Sequence, residues 1–513
     1  MSGRDSYYIT TPIYYVNDSP HIGHAYTSLA CDVLARFMRL DGKDVLFLTG
    51  TDEHGQKVEK SAAAAGLDPQ AFADRVSQNF RDLAKRMNFS NDDFIRTTEP
   101  RHITAAQALW DKLAEKGEIT LGSYAGWYSV RDEAFYGESE LVNGKAPTGA
   151  DVEWVEEPSY FFKLSAWGDR LLEFYDANPD FIAPRSRRNE VVSFVKSGLR
   201  DLSVSRTSFS WGIPVLSDPK HVQYVWLDAL ANYITEVDYP DLASEKWRQY
   251  WPADLHMVGK DILRFHAVYW PAFLMAADLA PPKRIFAHGW WTNEGQKISK
   301  SLGNVIDPLR LIETYGLDPL RYFLLREVPF GHDGDFSHAQ MIKRINTDLA
   351  NDLGNLAQRV LSMINKNCGG RVPEPGPLAP ADETLLAAAR GLLATVRAEL
   401  AEQAFHRALE AIWTVISDSN RYVDEQAPWT LRKTDQARMA AVLYVLAETV
   451  RHLAILVQPV MPDSAAKLLD QLAVAADRRG FGALTPADAL KPGTELPPPT
   501  GVFPRYVPQD SAA

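Results

Sequence analysis

Cysteine is scarce in this chain of 513 residues, which contains only Cys31 and Cys368. Two cysteines can form neither a disulfide framework nor a four-thiolate zinc site. An excess of positive charge is also lacking, because 54 Lys and Arg stand against 66 Asp and Glu, which gives a net charge of −12. Binding of nucleic acid through overall charge is therefore excluded, and an RNA partner must contact local basic patches.

Long uninterrupted apolar runs are missing as well. The longest apolar stretch of helical period, residues 439–457, contains Glu448, Arg451 and His452, and predicts a buried bundle helix rather than a membrane span. The N-terminal Met-Ser-Gly-Arg-Asp has no apolar signal region. We therefore expect a cytoplasmic protein without a membrane partner.

The stretch that organises the chain is residues 7–24, where an apolar run rich in aromatic residues leads through a loop into His21-Ile-Gly-His24. A helical period follows, and a second apolar run begins at Val45. Strand, loop, helix and strand in this order form a βαβ unit, which implies a parallel sheet. The loop then lies at the carboxyl end of a strand and at a helix N-terminus, where such sheets bind ligands.

The residue types of this loop suit a phosphate. Gly23 allows a ligand to approach the backbone closely, and His21 and His24 lie one helical turn apart, so both can donate hydrogen bonds. The alternative is a helix cap with two incidental histidines, since the pattern is short.

Three later stretches also predict ligand contacts. Two of them follow the end of a predicted strand, and the third is a loop with two lysines. Asp52 ends a predicted strand, and Gly259-Lys-Asp261 follows the buried strand at residues 255–258. Lys297 and Lys300 lie in a polar loop that suits a polyphosphate. A helix cap at Asp52 and a flexible surface loop at 297–301 are the alternatives.

The remaining chain separates into three patterns. Residues 118–165 predict a small β-rich insertion around an Asn143-Gly144 turn. Residues 185–206 are basic, which indicates a solvated face or RNA contact. From about residue 340 the apolar spacing predicts a helical bundle, followed by a Pro-rich extended tail.

His21-Ile-Gly-His24 and Lys297-Ile-Ser-Lys300-Ser301 together resemble the two signature motifs of class I aminoacyl-tRNA synthetases. Over nearly its whole length the chain resembles the methionyl-tRNA synthetase family. That resemblance also includes Thr49-Gly-Thr-Asp-Glu-His-Gly55, Asp201-Leu-Ser-Val-Ser-Arg206, Trp211-Gly-Ile-Pro214, Tyr224-Val-Trp-Leu-Asp-Ala229, Gly259-Lys-Asp-Ile262 and Asp424-Glu-Gln-Ala-Pro-Trp429.

The resemblance implies an α/β fold. It places a Rossmann-like catalytic domain in residues 1–117 and 211–280, and a connective insertion in residues 118–210. A region with the 297–301 loop and stem contacts would occupy residues 281–350, an all-α anticodon-binding bundle 351–487 and the tail 488–513. The insertion of roughly ninety residues is too short for the editing domain of the leucyl, isoleucyl and valyl enzymes, and the cysteinyl family needs cysteine ligands for zinc.

The resemblance also implies site residues. His21, His24, Lys297 and Lys300 would be catalytic. ATP would be bound by His21, Gly23, His24, Gly259, Asp261, Lys297 and Lys300. Methionine would be bound by Ile13, Tyr15, Asp52, Trp226, Ala229, Leu230, Tyr233, Ile262 and His266, with Arg206 as active-site support. The anticodon would be read by Asn355, Arg359, Pro428 and Trp429. Without the resemblance, the helical stripe from Trp226 to Tyr233 would be ordinary core.

The implied activity is a methionine–tRNA ligase that uses L-methionine, ATP with Mg²⁺, and tRNA(Met). Ser129 stands where many members carry a zinc-binding cysteine, so we expect a zinc-free insertion and no metal ligands. Nothing resembles the C-terminal dimerising domain of longer members, which favours a monomer. The rival interpretations are a small-molecule nucleotidyltransferase, which usually lacks the bundle, and a catalytically inactive tRNA-binding scaffold, which would not need His21, His24 and Lys300.

Overall fold

The computed structural model describes residues 5–17, 19–132, 134–298 and 303–508. The chain divides into two compact units. The sheet unit consists of Ser6–Cys31 and Val45–His288, and the helical unit of Met1–Asp5, Asp32–Asp44 and Gly289–Ala513. The finer domain boundaries given above stay a prediction.

A parallel sheet forms the centre of the sheet unit, as predicted. Its strands follow the spatial order Tyr14–Tyr15, Asp44–Asp52, Ser6–Thr10, Leu255–Gly259, Ile285–His288 and Ile182–Ala183, and Asp93–Arg96 also pairs with Asp44–Asp52. The registers place Tyr15 beside Asp52 and Gly259 beside His288. Parallel neighbours end at the same edge, so the polar residues that follow these strands are collected there.

The first helix, Ile22–Leu40, follows the strand Ser6–Thr10 as the apolar period predicts, and the predicted apolar positions from Leu29 to Phe37 are buried. One buried apolar stripe is what favours and orients such a helix. The other α-helices of the sheet unit outside the insertion are Gln56–Ala64, Pro69–Arg86, Pro100–Glu115, Val225–Leu230, Asn232–Thr235, Glu245–Tyr250 and Trp270–Ala276.

The β-rich insertion is confirmed as an antiparallel sheet. Its strands lie in the order Ala134–Tyr136, Ile119–Ser129, Glu153–Phe162 and Leu202–Ser203. The Asn143-Gly144 turn joins Val142 to Lys145, and both central residues have positive φ, 53° and 74°. Asn-Gly is the preferred pair for such a turn. The segment also contains the helices Gly168–Ala177 and Arg185–Lys196.

The helical unit contains a small sheet, which was not predicted, and the predicted bundle after it. The sheet pairs Gln296–Lys297 with Trp291–Asn293, which also pairs with Gly334–Phe336. The α-helices that follow this sheet's second strand are Pro308–Tyr315, Leu317–Arg326, His338–Arg344, Asn355–Asn367, Pro380–Ala401, Phe405–Gln426, Pro428–Thr434, Gln436–Val457 and Pro462–Gln471.

Two details of the bundle differ from or extend the sequence pattern. The first long helical segment of the bundle begins at His338, and its middle, Ile345–Gly354, has wide π-helical turns that the apolar spacing did not predict. Among the described residues, Gln436–Val457 is the helix long and apolar enough to cross a membrane, but 94% of its most apolar window is buried inside the protein. This burial matches the prediction of a bundle helix.

The Pro-rich tail packs along its own unit. Phe503 is buried, and Asn346 forms two hydrogen bonds with the backbone of Tyr506, at 2.8 and 3.0 Å. Asn346 lies in the π-helical turns Ile345–Gly354, which lead directly into helix Asn355–Asn367. The two hydrogen bonds therefore fix the tail to this helical segment.

Candidate active site

His21 and His24 lie together at the start of helix Ile22–Leu40, with ring centroids 4.0 Å apart. The Nδ1 atom of each ring accepts a backbone N–H, from Gly23 to His21 at 3.1 Å and from His21 to His24 at 3.0 Å. Burial lowers the pKa of both imidazoles, strongly for His24. A neutral ring that accepts at Nδ1 carries its proton on Nε2. Both histidines are therefore uncharged hydrogen-bond donors at neutral pH.

Gly23 fits this arrangement sterically. A Cβ at this position would lie 3.0 Å from Cε1 of His21, so a larger residue would press on the imidazole. The two Nε2–H groups lie at the positive end of the helix dipole and suit an anionic oxygen, whereas the backbone N–H groups of Gly23, His24 and Ala25 are already bonded to His21.

Asp52 ends the long strand Asp44–Asp52 and is 6% exposed. Its register partner is Tyr15, and the backbone N–H of Val16 donates to the Asp52 carbonyl at 3.1 Å. Ile13, two residues before Tyr15, packs against the core of the same unit. Asp52 is thus a nearly buried carboxylate at a strand end, with Tyr15 as its neighbour in the sheet register, which suits a site that binds an ammonium group.

Trp226 stacks face to face on Phe265, with centroids 3.5 Å apart and planes 8° from parallel. Ala229 and Leu230, on the same helix Val225–Leu230, are buried. Phe265 was not predicted as a site residue, because its partner lies 39 positions away and no local period joins the two rings.

Tyr233 and His266 form a buried pair whose hydrogen bonds fix their protons. Nδ1 of His266 contacts the carbonyl of Ile262 at 2.9 Å, so this nitrogen donates. Nε2 must then accept from the Tyr233 hydroxyl at 2.7 Å. Burial lowers the pKa of His266 to about 4, so the ring is neutral.

His256 stacks on one face of the Tyr233 ring and was not predicted. The two rings stack with centroids 4.0 Å apart. Trp270 donates to Nε2 of His256 at 3.3 Å, so Nδ1 donates to Thr10 Oγ1 at 2.8 Å. The tyrosine is therefore held on one face and at its hydroxyl.

Gly259 and Asp261 follow the strand Leu255–Gly259. A Cβ on Gly259 would lie 2.5 Å from Oδ1 of Asp261, so glycine lets the aspartate fold back over the strand end. The Asp261 charge counteracts the burial of both His21 and His266 and raises their pKa values slightly. Asp261 is thus close enough to both histidines to act on each electrostatically.

Arg206 is 2% exposed and lies over the ring of Tyr224, 3.7 Å from the centroid. Its guanidinium donates to the Ser205 carbonyl at 2.7 Å and lies 3.6 Å from Glu157. Tyr224 immediately precedes helix Val225–Leu230, so Arg206 supports the start of the helix that carries Trp226.

A buried aspartate joins three distant parts of the sheet unit. Asp228 accepts from Nδ1 of His54 at 2.6 Å and from Nε2 of His102 at 2.8 Å. Burial alone would raise the pKa of Asp228, but the two histidines hold it at about 2. Asp228 therefore links the loop after Asp52 to the helix of Trp226, across 174 positions in sequence that leave no local pattern.

Lys297 belongs to the helical unit and is exposed at the end of the short strand Gln296–Lys297. Asn304 donates to the Lys297 carbonyl at 3.0 Å, which closes the base of the loop. Lys300 and Ser301 lie outside the described residues.

The predicted anticodon residues lie together within the helical unit. The guanidinium carbon of Arg359 lies 5.3 Å from the ring centroid of Trp429, and Arg359 also donates to Asp424 at 2.9 Å. Trp429 is 42% exposed, and Pro428 before it is buried at the helix start. Asn355 is exposed one helical turn before Arg359. An exposed indole beside a guanidinium can stack on an unpaired base and reach its edge.

Across the described residues, 5–17, 19–132, 134–298 and 303–508, no group of three or more His, Cys, Asp or Glu could hold a metal ion. At the predicted zinc-free position, Ser129 Oγ accepts from the backbone of Asp132 at 3.2 Å. The Asp132 carboxylate accepts from Arg131, Tyr136 and Thr148.

Comparison with known proteins identifies the family. A model of class I tRNA synthetases (M) matches residues 7–153 and 139–361, and a model of the anticodon binding domain of methionyl tRNA ligase matches residues 372–512. The methionine–tRNA ligases of Mesorhizobium japonicum and Brucella suis are both 59% identical, over 99% of this chain and 99% of theirs.

Solved structures agree with this. The structure of Mycobacterium tuberculosis methionyl-tRNA synthetase in complex with methionyl-adenylate is 58% identical and matches with a TM-score of 0.95, covering 98% of this chain and 100% of its own. The free-state structure of the same enzyme matches with a TM-score of 0.90 at 54% identity, over 99% of this chain and 100% of its own. One family therefore accounts for the two signature motifs, the parallel sheet and the helical bundle. The chain belongs to the methionyl-tRNA synthetase family of class I aminoacyl-tRNA synthetases.

Proposed function

We propose that this chain ligates L-methionine to tRNA(Met) in two steps, with Mg·ATP as the co-substrate. The observation that carries the proposal is the pair of Nε2–H donors on His21 and His24, which lie on the same strand-end edge as Asp52 and Asp261. These groups match the charges of the substrates, because the donors suit phosphate and the carboxylates suit an ammonium group and ribose hydroxyls.

In the first step, a carboxylate oxygen of methionine attacks the α-phosphorus of ATP, and the bond to the β-phosphate oxygen breaks with release of pyrophosphate. The histidines donate to the phosphate oxygens as charge moves onto them, without giving up a proton. Such prearranged donors contribute through positioning and electrostatics rather than covalent catalysis. From the family motif, we assign Lys297 and Lys300 to the same phosphates.

Methionine recognition is assigned to the aromatic residues around Asp52. The carboxylate accepts from the ammonium group, while Tyr15, Trp226 and Tyr233 surround the thioether, which forms favourable contacts with aromatic rings. Ile13, Ala229, Leu230 and Ile262 supply the apolar contacts. The neutral His266 limits the site to uncharged side chains, because an uncompensated charge would be buried against it.

In the second step, a hydroxyl at the 3′ end of the tRNA attacks the methionyl carbonyl, and AMP leaves. We assign Gly259 and Asp261 to the ribose of the adenylate and Arg206 to support of the site. Asn355, Arg359, Pro428 and Trp429 are assigned to the anticodon. The proposal includes a monomer that acts in the cytoplasm and has a zinc-free insertion.

Replacement of Trp429 tests whether anticodon binding and methionine activation depend on different residues. Trp429→Ala should leave methionine-dependent exchange of pyrophosphate into ATP unchanged and lower kcat/KM for tRNA charging about 10–100-fold, since one base–aromatic stack contributes about 1–3 kcal/mol. The matched control is Arg421→Ala, a change of an exposed residue on helix Phe405–Gln426 whose guanidinium pairs with Asp418, three positions earlier on the same helix. Equal losses in both activities of Trp429→Ala would contradict the anticodon assignment.

A further inference from the structure

His288 ends the strand Ile285–His288 and has been assigned to no substrate, yet it lies on the strand-end edge where the assigned residues collect. Its register partner on the neighbouring parallel strand is Gly259. A Cβ on Gly259 would lie 3.8 Å from Cε1 of His288, so the imidazole lies in close contact with the residue assigned to the ribose. His288 is 4% exposed. It is therefore a buried polar side chain beside the proposed nucleotide site.

Two hydrogen bonds connect His288 to the start of helix Ile22–Leu40. Nε2 of His288 lies 2.7 Å from Oγ1 of Thr27, and this oxygen lies 3.1 Å from the carbonyl oxygen of Gly23. A carbonyl only accepts, so the single hydroxyl hydrogen of Thr27 goes to Gly23, and Nε2 of His288 must donate to Oγ1. Both side chains are buried. The two bonds thus join the end of a strand to Gly23, which separates the two histidines assigned to phosphate.

A ring contact strengthens the same connection. Tyr26, which precedes Thr27 on the helix, meets the imidazole of His288 edge to face, with centroids 5.2 Å apart and planes at 83°. Such edge-to-face pairs are favourable and fix the orientation of both rings. His288 therefore contacts two successive residues of the helix that begins with the phosphate donors, and also the strand end that leads to Asp261.

The spacing between this helix start and this strand end has to match a single ligand. The ribose and the phosphates of ATP are joined covalently, so groups that bind them together must be held at a fixed distance from one another. Polar groups contribute most when they are fixed before the ligand arrives. An apolar replacement in the buried link would leave a donor or an acceptor without its partner and would free the helix start to shift.

We propose that His288 and Thr27 are positioning residues for ATP. They hold the helix start, and with it the Nε2–H donors of His21 and His24, at the distance from Gly259 that the phosphates and the ribose of one ATP molecule require. Neither residue needs to touch the nucleotide. This inference rests on the proposed function, to which it adds two residues that act through those assigned to ATP.

Calorimetric binding of Mg·ATP to the full chain, without methionine, tests the role of Thr27. Thr27→Val keeps the shape of the side chain but removes the hydroxyl, and should raise Kd for ATP about 5–10-fold, as expected for the loss of one buried hydrogen bond, whereas Thr27→Ser keeps the hydroxyl and should stay within about twofold of the wild type. His288→Met and His288→Gln repeat the comparison from the other side, because glutamine can still donate from the place of Nε2.

The matched control is Thr235→Val. Thr235 is also 4% exposed, and its hydroxyl donates to the carbonyl of Ala231, four positions earlier, at 2.8 Å and lies 3.2 Å from Nδ1 of His102. It therefore has the same two kinds of contact as Thr27, but on the helix of Tyr233, which is assigned to methionine. Thr235→Val should lower the midpoint of urea unfolding as Thr27→Val does, and should leave Kd for ATP within about twofold of the wild type.

A double variant and the kinetics complete the test. Thr27→Val combined with His288→Met should bind ATP no more weakly than the weaker single variant, because both changes break the same link. In methionine-dependent pyrophosphate exchange, KM for ATP should rise by the same factor as Kd, while KM for methionine should not change.

Four results would overturn the inference: a wild type that does not bind ATP, unchanged affinity in Thr27→Val, an equal loss in Thr27→Ser, or an equal loss in Thr235→Val. If His288→Met does not fold, the Thr27 and Thr235 variants decide alone. A wild type that binds ATP but shows no exchange with methionine would contradict the proposed function, while the Kd values would still decide the role of His288 and Thr27.

Discussion

His266 should make the sheet unit sensitive to acid in a way that can be calculated. Its pKa is about 4 in the folded protein, against an ordinary value of 6.5 that we take for the unfolded chain. Between these two values the unfolded chain binds a proton that the folded protein does not. The contribution of His266 to the free energy of unfolding is therefore complete above pH 6.5 and is lost as the pH falls from 6.5 to 4. At about 1.36 kcal/mol per pH unit, the full loss is about 3.4 kcal/mol, of which about 2 kcal/mol is gone by pH 5.

The measurement compares the wild type with His266→Gln, since glutamine can still donate to the Ile262 carbonyl and accept from Tyr233. Urea unfolding followed by tryptophan fluorescence at pH 7 and pH 5 gives the loss of stability on acidification for each protein. The wild type should lose about 2 kcal/mol more than the variant. Burial is the main cause of the lowered pKa of His256, and because the variant keeps that burial, the contribution of His256 largely cancels in the comparison. Equal losses in the two proteins would refute the assignment of a low pKa to His266.

Two further predictions concern the sheet unit. Asp228→Asn should destabilise this unit by about 1–3 kcal/mol, because an amide has one oxygen and cannot accept from both His54 and His102, which leaves one buried donor without its acceptor, whereas Asp218→Asn, which removes a looser contact of 3.7 Å to His221, should cost less than about 1 kcal/mol by urea unfolding. Elemental analysis of the purified chain should find no stoichiometric zinc, and one equivalent of zinc would contradict the zinc-free insertion.

Local patterns predicted those parts of the fold that local physics determines. The period of Leu29, Val33 and Phe37 predicted the first helix, because one buried stripe is sufficient to orient it. Asn143-Gly144 predicted its turn, because both positions need positive φ. The two signature motifs predicted the family, since they occur in the right order before a helical bundle.

Contacts between distant segments could not be predicted in this way. Trp226 stacks on Phe265 and Tyr233 stacks on His256 because of which strands are neighbours in the sheet. The order of the strands cannot be predicted from any single segment of the sequence. Asp228 had the appearance of one polar residue in an apolar helix, until the fold brought two histidines to its oxygens. The ring nitrogen that carries the proton in His21 and His24 is likewise determined by hydrogen bonds from the backbone, which only the three-dimensional structure shows.

The central claim is that this chain activates methionine with ATP. Exchange of labelled pyrophosphate into ATP, measured with each of the twenty amino acids in turn, tests it most directly, because the signal requires a reversible aminoacyl-adenylate and no tRNA. The account predicts strong exchange with methionine and at most weak exchange with the other nineteen. Exchange that is absent with methionine, or stronger with another amino acid, would contradict it.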